Sequence, residues 1–325
     1  MNIIVTGSSG YIGSCLISKL EKKYNILGID KIKPKFKQKN FIKCDLKNFK
    51  KTKEIFKKFK PDIIFHLAGQ STIDGIKEKE KYITNNYTVT KNIIKIIKSL
   101  DIKHLLFSST AAVYKQSNFL MSEKTIVKPN NIYGKTKLLC EKYIKNNIKN
   151  SRKYIIFRFF NVCSALVNPS CGELHNPETH LIPIVIMKYL NQMKIKIYGN
   201  DYRTKDGTCI RDYIHIKDII RAFEKGIDFL QKKKKSKIIN LGTGKGYSVM
   251  EIIRETKKIV FPKNLNFEFH KKRKGDIGKL VCKNNLGKEI LSWKPINSSL
   301  KKIITDEIMW QMYLKKKKIY RKSIY

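Results

Sequence analysis

The sequence lacks an apolar stretch long enough to cross a membrane. A membrane-spanning helix needs about 20 consecutive apolar residues, and the longest apolar run here, at about residues 181–190, is interrupted by Pro183 and Lys188. A secretion signal is not expected either, because glycines interrupt the apolar N-terminal run after only a few residues. We therefore expect a cytoplasmic protein that does not bind a membrane.

Cysteine pairs at metal-binding or redox spacings are also missing. The seven cysteines are odd in number and include no Cys-x-x-Cys pair, which indicates reduced thiols rather than a disulfide or zinc framework. We interpret His175 and His180 as ordinary side chains, on the ground that no cysteine or carboxylate accompanies them at a usual ligand spacing. The sequence thus predicts no metal site.

Arginine is scarce although the formal net charge is +43. Such a charge attracts phosphates and raises the possibility of nucleic-acid binding. Only 8 of the 69 basic residues are arginines, and the lysines are spread over nearly every predicted helix face. A nucleic-acid-binding protein more often groups arginines on one element with interleaved aromatics. Lysine, isoleucine and asparagine are enriched together, as an A+T-biased genome would produce, and we predict no nucleic-acid partner.

The hydrophobic pattern of the first half predicts the fold class. Apolar strand-like runs, such as Ile3–Val5, 63–65 and 105–107, alternate with segments of helical period. Strand–helix alternation at this spacing produces right-handed crossovers and a parallel sheet. We predict an α/β protein with a doubly wound parallel Rossmann sheet.

The regular alternation ends at about residue 165, where Gly172, Pro177 and Pro183 mark an irregular stretch. A chain of 325 residues is long enough for about two domains. We therefore predict a Rossmann domain at 1–165 and a smaller C-terminal substrate-binding domain at 166–325. The segment at about 213–235 is expected to return to the first domain.

Three glycines, Gly7, Gly10 and Gly13, stand between the first predicted strand and a helix. Glycine permits a tight turn and close backbone approach, and a helix N-terminus attracts a pyrophosphate. Asp30, twenty residues beyond Gly10, falls at the end of the second strand. A carboxylate there accepts hydrogen bonds from the adenosine ribose and repels a 2′-phosphate. The pattern predicts NAD rather than NADP.

Tyr133 and Lys137 are four residues apart and share one face of a predicted helix. A nearby ammonium favours the phenolate of a tyrosine, which otherwise titrates near pH ~10. Thr110 ends a predicted strand at the edge where doubly wound sheets meet their ligands. Its hydroxyl could bridge a reacting alcohol and the Tyr133 oxygen. These three residues predict redox chemistry on a carbinol. The alternatives are that Tyr133 and Lys137 belong to an ordinary amphipathic helix face and that Thr110 only caps a helix or a strand end.

These motifs, in this order, resemble the extended short-chain dehydrogenase/reductase family. Two later stretches, residues 198–215 and 273–276, look like the UDP-glucose 4-epimerases (UDP-galactose 4-epimerases) of that family, and the similarity runs from residue 1 to about 310. The resemblance implies a homodimer that holds NAD and interconverts UDP-galactose and UDP-glucose through a transient 4-keto sugar. Leu280 stands where relatives carry a size gate, which leaves acceptance of UDP-N-acetylglucosamine open.

The resemblance also implies the site residues. Tyr133 would be the base, Lys137 would hold the nicotinamide ribose and Thr110 would contact the sugar O4. Besides the glycine turn and Asp30, the implied cofactor contacts are Tyr11, Ile12, Asp45, Leu46, Leu67, Ala68, Gly69, Lys137, Asn86 and Phe160. The implied UDP-sugar contacts beyond Thr110 and Tyr133 are Asn161, His180, Leu181, Tyr198, Arg211, Tyr213, Arg273 and Asp276. Arginines suit a diphosphate, an aromatic ring suits uracil and a carboxylate suits ribose hydroxyls.

Other functions within the same fold remain open. A nucleotide-sugar 4,6-dehydratase would need an Asp-Glu pair directly after Thr110, where the chain has Ala111 and Ala112. A decarboxylase of UDP-sugar acids is a further option. A catalytically silent relative that senses NAD or binds nucleic acid is another, although the complete threonine, tyrosine and lysine set argues against silence.

Overall fold

The computed structural model describes residues 1–70, 79–115, 117, 119–167, 171–233, 235–260, 266–273 and 276–319. The strands, in chain order, are β1 (Asn2–Thr6), β2 (Asn25–Asp30), β3 (Phe41–Lys43), β4 (Ile63–His66), β5 (His104–Thr110), β6 (Lys153–Phe159), β7 (Asn161–Cys163), β8 (Ile195–Tyr198), β9 (Ile210–His215), β10 (Lys237–Leu241), β11 (Gly246–Ser248), β12 (Phe267–His270) and β13 (Lys279–Leu280).

The helices are α1 (Tyr11–Leu20), α2 (Phe49–Phe59), α3 (Lys79–Tyr82), α4 (Val89–Ser99), α5 (Ile132–Asn147), α6 (Leu181–Leu190), α7 (Ile216–Lys233), α8 (Val249–Ile259), α9 (Asn285–Leu291) and α10 (Leu300–Lys316). A π-helical segment, Ile83–Thr88, joins α3 to α4, and a 3₁₀ turn, Ala111–Val113, follows β5. None of the described helices is long and apolar enough to cross a membrane.

Seven strands form one sheet in the order β3-β2-β1-β4-β5-β6-β10, and every neighbouring pair is parallel. This arrangement confirms the predicted doubly wound α/β fold. The strand order reverses between β1 and β4, and ligands of such sheets bind at the carboxyl ends beside that reversal. The fold therefore locates the candidate site at the ends of β1, β4 and β5.

Helices cover both faces of this sheet, which explains why its central strands are continuous apolar runs rather than alternating ones. On one face α1 and α7 pack over residues such as Val5 and Phe157, and on the other α2, α4 and α5 pack over Ile4 and Ile156. These four strand residues are completely buried. Burying an apolar side chain of this size contributes about 1.5–3 kcal/mol, so the two apolar layers fix the sheet that carries the site.

The second half of the chain contributes to two assemblies. β9 pairs with β7, β11 and β13, β8 pairs with β12, and α6, α8 and α10 share an apolar core. After β9 the chain returns to the large sheet, where α7 packs against β5 and β6 and β10 pairs with β6. The division at residue 165 itself stays a prediction.

Candidate functional site

The glycine turn lies between β1 and α1 and packs tightly against the end of β4. Gly7 has a φ of +73°, and a Cβ on it would lie 2.6 Å from the backbone nitrogen of Ala68. A Cβ on Gly13 would lie 2.2 Å from the Gly7 oxygen, whereas one on Gly10 would meet only that oxygen, at 3.3 Å. Gly10 precedes α1, no side chain caps this helix, and no acidic residue stands in its first turn. Uncapped amide groups at a helix start attract an anion.

Tyr11 and Ile12 are the first two residues of α1. The Tyr11 hydroxyl donates a hydrogen bond to the Ser164 carbonyl, which joins the glycine turn to the segment after β7. Ile12 packs against the apolar core. These two predicted cofactor contacts therefore begin a helix that packs against the large sheet and is joined to Ser164 in the second half of the chain.

Asp30 ends β2 beside the glycine turn, because its Oδ2 accepts a hydrogen bond of 3.0 Å from the Ser9 nitrogen. Asp45 and Leu46 follow β3 at the same edge of the sheet. Asp45 accepts a hydrogen bond of 3.0 Å from the Lys47 nitrogen, and Leu46 is buried. The structure thus places the Asp30 carboxylate beside the glycine turn, where it would repel a 2′-phosphate.

Leu67, Ala68 and Gly69 form the strand-end turn after β4, and Asn86 supports it from the π-helical segment. Asn86 is only 1% exposed. Its Oδ1 accepts a hydrogen bond of 2.6 Å from the Gln70 nitrogen, and its Nδ2 donates one of 3.0 Å to the Thr136 hydroxyl. Asn86 therefore joins this turn to α5, and π-helical segments of this kind are frequent at functional sites.

Thr110, Tyr133 and Lys137 converge at the carboxyl end of β5. The Thr110 hydroxyl accepts a hydrogen bond of 3.1 Å from the Ala112 nitrogen and lies near enough to Tyr133 to act on the pKa of the phenol. Tyr133 is half-buried in the first turn of α5, and Lys137, one turn further along, is 4% exposed. Helical periodicity places both side chains on one face, as the sequence predicted.

In the chain alone, burial opposes ionisation of Tyr133. It raises the pKa of Tyr133 to about 12, and the neighbouring Thr110 hydroxyl acts in the opposite direction. Burial also lowers the pKa of Lys137 to about 8, and the Lys137 Nζ lies 4.6 Å from the centroid of the Phe107 ring. Lys137 is not among the groups that shift the Tyr133 pKa in the chain alone. A further positive charge is needed to favour the phenolate.

Four of the predicted UDP contacts form a second cluster. The guanidinium of Arg273 lies 4.2 Å from the centroid of the Tyr198 ring, a cation–π contact. Arg211 on β9 forms an ion pair with Asp276 and exposes only 13% of its side chain. The Asp276 Oδ2 also accepts a hydrogen bond of 3.3 Å from the Tyr202 hydroxyl. Tyr202 was not among the predicted residues, although it lies inside the 198–215 stretch, whose family likeness could have indicated it.

Asn161 and Tyr213 are paired across β7 and β9, where Tyr213 is buried. Phe160 is buried in a separate cluster with Tyr114 and Cys282. Phe160 and Asn161 thus stand where the chain passes from β6 to β7.

His180 directly precedes α6, and Leu181 is its first residue. The interpretation that no carboxylate accompanies the histidines is wrong. The Nδ1 atoms of His175 and His180 each lie 2.5 Å from Oε1 of Glu173, and His180 Nδ1 also lies 3.3 Å from Glu178 Oε1. The spacing Glu-x-His-x-x-Glu-x-His was visible in the sequence and could have indicated this cluster.

Comparison with known proteins agrees with this geometry. Residues 3–242 match the model of the NAD dependent epimerase/dehydratase family. The UDP-glucose 4-epimerase of Lactobacillus helveticus is 34% identical over 323 residues, which cover 95% of this chain and 97% of that protein.

Two crystal structures are similar over nearly their whole length. One is a UDP-glucose 4-epimerase from Stenotrophomonas maltophila with bound NAD and formylated UDP-arabinopyranose, with a TM-score of 0.92 and 25% identity over 98% of this chain and 99% of that one. The other, a UDP-glucose 4-epimerase from Bifidobacterium longum in complex with NAD+ and UDP, has a TM-score of 0.90 and 26% identity over 98% of this chain and 100% of that one. The chain, with its glycine turn, its parallel sheet and these matches, belongs to the NAD dependent epimerase/dehydratase family.

Proposed function

We propose that this protein catalyses the reversible 4-epimerisation of UDP-galactose and UDP-glucose with NAD as its resident cofactor. The observation that carries the proposal is the convergence of Thr110, Tyr133 and Lys137 at the carboxyl edge of the sheet, beside the glycine turn. The UDP-glucose 4-epimerase relative that covers 95% of this chain supports the same activity.

The residues present fit NAD. The start of α1 offers backbone amides without a side-chain cap, and Gly10 leaves open space that a larger side chain would fill. Asp30 would receive the adenosine ribose hydroxyls. When bound, oxidised NAD supplies a reversible two-electron acceptor beside the sugar and a positive charge near the phenol. That positive charge would lower the pKa of Tyr133 and so favour the phenolate.

Tyr133 exchanges the proton of the sugar 4-hydroxyl. Because Thr110 lies close enough to Tyr133 to act on the pKa of the phenol, its hydroxyl can pass the proton between the sugar oxygen and Tyr133. The proton is removed when the carbinol becomes a ketone and is returned when the ketone is reduced. Lys137 holds the cofactor ribose and keeps a positive charge beside the site.

Epimerisation requires the 4-keto sugar to turn over between the two half-reactions, so UDP must be held firmly and the sugar loosely. The cluster of Tyr198, Arg211, Arg273 and Asp276 suits the first requirement. Tyr198 would stack on uracil and the two arginines would bind the diphosphate. Asn161, His180, Leu181 and Tyr213 complete the proposed UDP site. Arg211 is already paired with Asp276, which preorganises its guanidinium.

The test offers the purified protein UDP-galactose and, separately, UDP-N-acetylgalactosamine, without added cofactor, and separates the products. We expect interconversion of UDP-galactose and UDP-glucose, and the second substrate decides whether N-acetylated sugars are accepted. In the variant Tyr133→Phe the rate should fall by about 10²–10⁴-fold, the usual contribution of a proton-transferring group. Retained fold and bound NAD are the controls.

Three results would contradict the proposal: undiminished activity of Tyr133→Phe, a need for fresh NAD at every turnover, or accumulation of a keto sugar. The last would favour a 4,6-dehydratase, which Ala111 and Ala112 after Thr110 disfavour because neither supplies an acid or a base. Salt-sensitive gel shifts without epimerase activity would favour a nucleic-acid-binding relative.

The same proposal includes a homodimer, a cytoplasmic location and a division into an NAD-binding domain at 1–165 and a UDP-sugar-binding domain at 166–325. The dimer is proposed by analogy with the family, and light scattering on the purified protein tests it. A monomeric mass at micromolar concentration would exclude the dimer without affecting the proposed chemistry.

A further inference from the structure

The segment before α6 brings four potential metal ligands together within eight residues. They are Glu173, His175, Glu178 and His180, and one ligand atom from each lies within 4.8 Å of the ligand atoms of the others. We propose that these four residues, the quartet, bind one zinc ion. The site is separate from the convergence of Thr110, Tyr133 and Lys137 and does not depend on the proposed epimerase activity.

The distances suit a small divalent cation. Bonds of about 2.0–2.2 Å in tetrahedral geometry separate the ligand atoms of zinc by roughly 3.4 Å. In the structure the Nδ1 atoms of His175 and His180 lie 2.5 Å from Glu173 Oε1, and His180 Nδ1 lies 3.3 Å from Glu178 Oε1. The two shorter of these distances would widen by about 1 Å in a tetrahedral zinc site, and the third already matches it.

The burial of the quartet is asymmetric. The side chains of Glu173 and Glu178 are 1% and 0% exposed, whereas those of His175 and His180 are 33% and 46% exposed. Two buried carboxylates in close proximity require positive charge next to them. Protonated imidazoles supply it in the ion pairs, a cation would supply it beside neutral imidazoles, and the exposed histidine side provides the path of entry.

The surrounding contacts hold the carboxylates in place. The Glu178 Oε1 accepts hydrogen bonds of 2.8 and 2.9 Å from the backbone nitrogens of Thr179 and His180. The Glu173 carbonyl accepts one of 2.9 Å from Trp310 Nε1 on α10. Supporting hydrogen bonds of this kind orient metal ligands and contribute to affinity.

The donor set selects among metals. Two imidazoles with two carboxylates suit zinc, whereas magnesium and calcium prefer oxygen ligands alone and copper(I) prefers sulfur. His180 directly precedes α6, so a metal bound to it would fix the start of that helix. His180 and Leu181 also belong to the proposed UDP site. The metal would thus have a structural role beside the substrate.

The test uses untagged full-length protein, stripped with a chelator and dialysed, to which Zn²⁺ alone is added. We expect about one equivalent of bound zinc by elemental analysis and a melting temperature that rises with Zn²⁺ concentration. Co²⁺ in its place should give the visible absorption of tetrahedral nitrogen and oxygen ligation. His175→Gln should weaken binding by more than about 100-fold, because loss of an outer supporting group alone costs 10–100-fold.

His175 is partly exposed, so its substitution keeps the fold testable even if Glu173→Gln disrupts the buried side of the quartet. The matched control is His270→Gln, because His270 lies 2.8 Å from Glu268 in a second imidazole–carboxylate pair, which among the described residues belongs to no group of three or more metal ligands. That variant should bind zinc like the wild type. Stoichiometry well below one equivalent, equal affinity in His175→Gln, or a cobalt spectrum dominated by thiolate ligation would each overturn the proposal.

Discussion

Glu141 on α5 and Arg158 on β6 form a buried ion pair with nitrogen–oxygen distances of 2.6 and 3.0 Å. Both side chains are at most 5% exposed. Ser109 on β5 donates a further hydrogen bond to Glu141, and the Tyr114 hydroxyl accepts one of 3.0 Å from Arg158. Glu141 lies one turn after Lys137, so this network fastens α5, the helix that carries Tyr133 and Lys137, to the sheet.

Substitution Glu141→Gln should destabilise the protein by about 3–5 kcal/mol, because it leaves the buried guanidinium without its opposite charge. Urea unfolding measures the change. The double variant Glu141→Leu/Arg158→Met, which removes both charges, should recover much of the loss. A single variant within about 1 kcal/mol of the wild type would show that the pair does not hold α5.

Alanine at Gly10 and at Gly13 should have different effects. A Cβ at Gly13 collides with the Gly7 oxygen at 2.2 Å, so Gly13→Ala should lower the melting temperature. A Cβ at Gly10 meets that oxygen only at 3.3 Å, so Gly10→Ala should keep the fold but occupy the face offered to NAD. Thermal unfolding and the amount of NAD that copurifies separate the two. Normal NAD content in Gly10→Ala would contradict the proposed location of the pyrophosphate.

The hydroxyl of Thr110 should matter more than its methyl group. Thr110→Val keeps the shape but removes the hydroxyl beside Tyr133 and its hydrogen bond with the Ala112 nitrogen, so the turnover rate should fall by roughly tenfold or more. Thr110→Ser keeps the hydroxyl and should retain most of the activity. Steady-state kinetics on UDP-galactose compares them, and equal rates for the two variants would exclude Thr110 as a proton carrier.

Activity should decline as the pH rises through about 8, the lowered pKa of Lys137. An amine loses its charge above its pKa, so Lys137 is largely an ammonium at pH 7 and neutral at pH 9. The positive charge beside Tyr133 disappears over that interval. The pH profile of kcat measures the effect, and Lys137→Arg, whose side chain does not titrate there, should lack this alkaline decline. A wild-type rate that climbs steadily to pH 10 would contradict the role of the ammonium.

Buried His66 should make the protein less stable in acid. Its Nδ1 and Nε2 are hydrogen-bonded to the hydroxyls of Thr6 and Thr90 at 2.8 and 3.0 Å, and burial, together with Lys137, lowers its pKa to about 3. The unfolded chain binds this proton near pH ~6.5, so His66 destabilises the fold progressively as the pH falls from 6.5 towards 3. The slope is up to about 1.4 kcal/mol per pH unit.

Urea unfolding at pH 7 and 5 measures this slope. His66→Asn, which cannot take up the proton, should show a smaller loss of stability between the two pH values than the wild type. Equal pH dependence in the two proteins would exclude His66 as the source.

Local elements were largely predictable because their signals are local. The helix predicted to carry Tyr133 and Lys137 is observed at Ile132–Asn147, and the glycine turn follows β1 as predicted. Tyr133 and Lys137 share a face because residues four positions apart lie on the same side of any α-helix. The apolar runs identified the strands, and their alternation with helices indicated a parallel sheet before any tertiary contact was known.

Other features depend on residues far apart in the chain. Arg211 and Asp276 are 65 positions apart, and the Tyr114 hydroxyl donates a hydrogen bond to Asn240 across 126 positions. The periodicity of the sequence does not predict such pairs, because each forms only when two distant elements pack together. The pairing of β10 with β6 likewise joins two distant segments of the chain.

The sequence by itself determined the alternating strands and helices of the first half and the residues proposed to react, because backbone hydrogen bonding and side-chain periodicity act over a few neighbouring residues. Only the tertiary structure decided which carboxylate pairs with Arg211, how Glu173 and Glu178 surround the two histidines, and how far burial raises the pKa of Tyr133. Burial and charge pairing set these properties, and both depend on which distant residues the fold brings into contact.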